Sequence, residues 1–111
     1  MKSYNDNLNF NEDKIVTSVI LESSFSKEIR ILLKTGQVMR EHKAPFPIII
    51  HLLEGEIDFG VQGETNLLKK GGIITLEGNI PHDLKANKDS IVRLTLSKLD
   101  NVSRVEKVIE A

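Results

Sequence analysis

Ile48-Ile49-Ile50-His51-Leu52-Leu53-Glu54-Gly55-Glu56-Ile57-Asp58-Phe59-Gly60-Val61 holds two short apolar segments around a Glu-Gly pair. Glycine reaches positive φ without steric cost, so Glu54-Gly55 suits a tight reversal of the chain. Segments of about six residues, rich in Ile, Leu and Val and bounded by turn residues, read as strands rather than helices. Alternation within the second segment places Glu54, Glu56 and Asp58 on one face, and a solvated face explains three carboxylates there.

The same grammar extends in both directions. Candidate strands lie at Ile15–Glu22, Lys27–Lys34, Gln37–Glu41, Ile48–Leu53, Glu56–Val61, Thr65–Lys69, Ile73–Leu76, His82–Ala86 and Ile91–Lys98. Ile29, Ile31 and Leu33 alternate with Arg30 and Leu32, and Ile91 to Leu96 repeats the pattern with Arg93 and Thr95 on one face. Thr35-Gly36, Gln62-Gly63-Glu64, Lys70-Gly71-Gly72 and Glu77-Gly78-Asn79 supply the breaks. Many short strands with no helix between them predict an all-β sandwich or barrel over residues 15–98. Residues 1–14 carry four Asn and read as an arm, docked through Leu8 and Phe10 or loose. In 99–111, Leu99, Val102, Val105, Val108 and Ile109 recur every three or four positions, which predicts a short amphipathic helix with Asp100 as its N-cap.

Composition narrows the function. Fifteen basic residues against sixteen acidic ones leave a net charge of −1, with no basic stripe for nucleic acid or anionic lipid. Cysteine is absent, so disulfides, thiolate metal sites and cysteine nucleophiles are excluded. The polar start of the chain lacks a signal-peptide core, and the longest apolar run is too short to span a bilayer, so a cytoplasmic protein is expected. At 111 residues one domain is expected.

Two stretches fall into register with paired signatures of one family. Gly36 is followed after five residues by His42, and Gly55 closes the first pattern, with Leu52-Leu53-Glu54-Gly55-Glu56 ending its strand. Gly71, Glu77, Asn79, His82 and Ala86 follow the second, in which Ile80-Pro81-His82 is the most recognisable piece. The sequence between about 29 and 97 thus resembles the small bacterial cupins of the RmlC-like superfamily. The resemblance implies a double-stranded β-helix, or jelly-roll, barrel with a short C-terminal α-helix. It also implies a metal site, of which this chain keeps half: His42 and His82 stand at two ligand positions, while Ala44 and Ile48 replace the second His and the Glu. Alkyl side chains have no lone pair, and two imidazoles alone hold a divalent Zn, Ni, Fe or Mn weakly, so the expected cofactor is none or such a weakly held metal.

His51 is the third histidine. It lies three residues after Ile48, so alternation sends it to the opposite face; a bulge after Pro47 would bring it in as a third ligand. Asn79 in place of the motif glycine tolerates the left-handed region and reads as structural.

Two functions fit. One is a module that binds a small molecule in the barrel, its pocket lined by His42, His82, Met39 and Phe46 over an apolar floor of Ala44 and Ile48. The other is a metal-dependent enzyme of dioxygenase or isomerase type using His42 and His82. A homodimer is expected in either case, because Ile15 to Leu21 is apolar at most positions and a strand apolar on both faces needs cover on both.

Overall fold

The computed structural model describes residues 1–98, and the helix expected over 99–111 lies outside them. Nine strands form: β1 (Val16–Glu22), β2 (Ser26–Leu33), β3 (Val38–His42), β4 (Ile48–Glu54), β5 (Glu56–Val61), β6 (Glu64–Lys69), β7 (Ile73–Leu76), β8 (His82–Ala86) and β9 (Ser90–Ser97). Each expected strand is found, its ends within one residue of the expectation. Among the described residues there is no helix, and so none long and apolar enough to cross a membrane.

The strands make two antiparallel sheets, ordered β1-β2-β9-β4-β7 and β3-β8-β5-β6. Their inner faces meet as period-two alternation requires. Ile29, Ile31 and Leu33 of β2, Val92, Leu94 and Leu96 of β9, and Ile48, Ile50 and Leu52 of β4 are buried from one side. Met39, Leu84, Ala86, Ile57 and Phe59 close on them from the other. Two turns show why glycine stands where it does. Gln62 and Gly63, at φ 52° and 79°, join β5 to β6 in a two-residue hairpin loop that requires positive φ at both positions. Gly55 has φ 96°, and a Cβ there would meet Ser90 Oγ at 2.2 Å and the Asp89 carbonyl oxygen at 2.6 Å.

The outer face of the larger sheet is polar at its centre. Glu28, buried, accepts from Ser26 Oγ at 2.8 Å, Arg93 Nε at 2.9 Å and Thr95 Oγ1 at 2.6 Å. The arm lies over this face, held differently from the expectation. Leu8 stays exposed; instead Arg30 donates to the carbonyls of Tyr4, Asp6 and Asn7, and Gln37 Nε2 donates to that of Asn11. Phe10 is half-buried, and main-chain carbonyls over a buried guanidinium hold the arm where Leu8 does not.

Burial alone pushes the Glu28 carboxyl up, but hydrogen bonds from Thr95, Arg93 and Ser26 and the Arg93 charge outweigh it and hold the group below its ordinary value. A carboxyl lowered by folding stabilises the protein above its unfolded value, and that stability is lost as pH falls through the folded value. Wild-type stability is therefore expected to drop as pH falls below about 4.3. Glu28→Gln should flatten this acid limb and cost on the order of 1–3 kcal/mol at pH 7, measured by urea unfolding across pH. An unchanged acid limb in the variant contradicts the assignment.

Candidate functional site

Strand β3 begins on the inner face with Met39, which lies opposite Leu84 of β8. Unbroken alternation from Met39 would point Glu41 inward and His42 outward. The register shifts between Met39 and His42, so that His42, not Glu41, lies opposite His82. This extra residue is a β-bulge, and it turns His42 to the side on which Met39 already points. His82 opens β8, where it is also paired with Val61 of β5.

The two rings meet with centroids 4.3 Å apart and planes 58° apart. His82 is buried, with the ring of Phe59 stacked at 5.7 Å. His42 is half-buried. Each ring is also fixed by the main chain two residues before it: His42 Nδ1 lies 2.7 Å from the Arg40 carbonyl oxygen, and His82 Nδ1 lies 2.9 Å from that of Ile80. A carbonyl oxygen only accepts, so Nδ1 carries a proton in both rings. The Arg40 carbonyl belongs to the bulge, so the same irregularity turns His42 inward and holds its Nδ1.

Beside the pair lies a cavity of about 20 Å³, room for a single water. Its walls are Ile31, Met39, Ile48, Ile50, Leu84, Val92 and Leu94, with the two histidines as its polar members. The β3–β4 and β7–β8 connections, which lead to the two histidine strands, are stitched together. Asn79 N donates to the Ala44 carbonyl at 2.6 Å, and Gly78 packs so closely that a Cβ would meet the Pro45 carbonyl oxygen at 2.6 Å. Asn79 has φ 66°, the left-handed backbone that its place in the motif suggested.

The structure thus brings His42, His82, Met39 and Ile48 together. Ala44 is buried in the core and Phe46 half-buried in the β3–β4 connection, and neither is among the residues that border the cavity. His51 points away. Its neighbours Ile50 and Leu52 are inward, its cross-strand partners are Ile73 and Arg93, and the irregularity in β4 falls after Leu52, too late to reverse it. Ile50, Leu84, Val92 and Leu94 were not singled out from the sequence as lining. Period-two counting from Ile48, from His82 and along β9 finds them.

A metal of the kind this fold often carries does not fit the residues present. Ile48 brings an alkyl group to the cavity where a carboxylate would be needed. Among the described residues no three His, Cys, Asp or Glu side chains gather at one point. Two imidazoles fall short of the three protein ligands usual in a zinc or iron centre.

Comparison with known proteins agrees with this architecture. An RmlC-like cupin protein from Desulfovibrio desulfuricans is 26% identical, matches 87% of this chain and 96% of its own, and superposes with a TM-score of 0.77. TT1209 from Thermus thermophilus is 20% identical over 87% of this chain and 96% of its own, with a TM-score of 0.76. A cupin superfamily protein from Desulfitobacterium hafniense, 10% identical over 81% and 83%, gives 0.74. No curated protein matches the chain. Residues 29–100 match the family model of the AraC-like ligand-binding domain, a span that contains both histidines and every wall of the cavity, and the chain belongs to that family of cupin barrels.

Proposed function

We propose that this protein is a small-molecule-binding module in which His42 and His82 receive the polar end of a ligand at the barrel mouth. The observation that carries the proposal is the ring pair itself: two imidazoles, each with Nδ1 on a main-chain carbonyl, bordering a cavity whose other walls are apolar. Imidazole rings hydrogen-bond polar groups such as a hydroxyl or an amide. The surrounding Ile48, Ile50, Leu84 and Val92 select an apolar portion beside it. Pockets for drug-sized ligands run to roughly 300–1,000 Å³, far beyond the about 20 Å³ between the sheets. What enters is a short branch, and the body of the ligand rests on the connections at the mouth. Met39, unbranched and adaptable, is the wall able to yield. The module works without a tightly held metal, since Ile48 removes the third ligand. The metal-dependent enzyme is the weaker reading for the same reason. A cytoplasmic setting belongs to the proposal.

The test is a set of short alcohols, diols and amides screened by ligand-observed NMR. Binding should be saturable and weaken about tenfold or more in His82→Phe, the effect of about 1.4 kcal/mol from one lost hydrogen bond. Protein incubated with iron, nickel, manganese and zinc and then desalted should retain well under one equivalent. One retained equivalent, lost in His42→Ala, contradicts the proposal.

We also infer a homodimer formed across β1. This strand is an edge of the larger sheet, and Val19 and Leu21 stay 40% and 44% exposed beside the arm. An open apolar edge is a ready partner for its own copy. Light scattering at micromolar concentration should give twice the chain mass, and Val19→Glu should lower it while leaving the fold intact. A wild-type mass of one chain overturns the inference.

A further inference from the structure

Arg30 is a guanidinium only 6% exposed, on the outer face of β2, and no ion pair among the described residues includes it. Burying a cation without an anion is costly. Its cross-strand partner Arg93 is treated differently, since it is neutralised by Glu28, whose oxygens already accept three hydrogen bonds. Arg30 has only neutral acceptors, the carbonyls of Tyr4, Asp6 and Asn7, all of them on its two Nη atoms.

Three buried polar atoms on this patch have no hydrogen-bond partner among the described residues: Arg30 Nε, Ser18 Oγ and Tyr4 Oη. They belong together in the fold. Ser18 is the cross-strand partner of Arg30 on β1. Tyr4 bonds to Arg30 through its carbonyl and lays its ring 5.8 Å from the Arg93 guanidinium. Burial pushes the Tyr4 phenol up, more than the Arg93 charge lowers it, so at neutral pH it is a protonated donor. All three atoms can donate, beside a positive charge that no ion pair among the described residues balances. Such an arrangement suits an acceptor carrying negative charge. Tyr4 also borders an open groove of about 710 Å³ between the arm and the end of β4.

We propose that this patch is a second binding site, for a small oxyanion of carboxylate or phosphate type, held by Arg30, Ser18 and Tyr4 beneath the N-terminal arm. It lies on the opposite face of the sheet from the barrel cavity and is independent of the ligand proposed there.

The probes are inorganic phosphate and acetate, titrated calorimetrically into the full chain at ionic strength held constant with chloride. Saturable binding of one equivalent of either is expected, and whichever binds more tightly identifies the headgroup. Ser18→Ala and Tyr4→Phe, which each delete a single oxygen, should weaken it about fivefold. Arg30→Gln should abolish it, and His42→Ala should leave it unchanged. The absence of saturable binding of either probe overturns the proposal. So does equal affinity in wild type, Ser18→Ala and Tyr4→Phe, a result that stands even if Arg30→Gln does not fold.

Discussion

One extra residue in β3, between Met39 and His42, determines what this barrel can do. Were the same sequence paired without the bulge, alternation would turn the His42 side chain to solvent and bring Glu41 inward opposite His82. With it, two imidazoles face each other across a strand pair, and the bulge carbonyl of Arg40 fixes the ring of one of them. The His82 ring is held by the carbonyl of Ile80, in a connection that is itself tied to Ala44 through Asn79. The mouth of the barrel is therefore a set of main-chain constraints that aim two side chains. The alkyl walls behind them supply shape and dryness and add no charge.

The larger sheet divides its labour between two faces. Inward, aliphatic residues of β2, β9 and β4 form a core in which several side chains are wholly buried. Outward, Ser26, Glu28, Arg30, Arg93 and Thr95 form a polar layer, which the arm covers with backbone carbonyls. Burying charge is expensive, and Glu28 is tolerated because three donors satisfy it. The arm is therefore part of the domain's polar structure although it adds no strand.

Strands were legible because their signal is local. Alternation around Ile29–Leu33 and Ile91–Leu96, and Gly or Asn at the breaks, located all nine to within one residue. His42 and His82 were legible only through the motif register, since alternation from Met39 gives the wrong face for His42. His51 was correctly turned outward by parity from Ile48, because β4 stays regular until Leu52. Phe46 was harder to place, as it sits in a connection with two prolines where no period applies. The seat of the arm on Arg30 was not legible. The bonds run to main-chain carbonyls, which every residue has, so no side-chain pattern announces them.

The bulge and the ring orientation it gives His42 stand or fall together, and histidine ring nitrogens report them directly. A long-range ¹H–¹⁵N correlation spectrum of the protein at neutral pH, with ring-to-ring nuclear Overhauser effects, is the measurement. The account predicts proton-bearing Nδ1 in both His42 and His82, and an Overhauser contact between the two rings. Protonation of Nε2 alone on either ring, or rings with no contact, would contradict it.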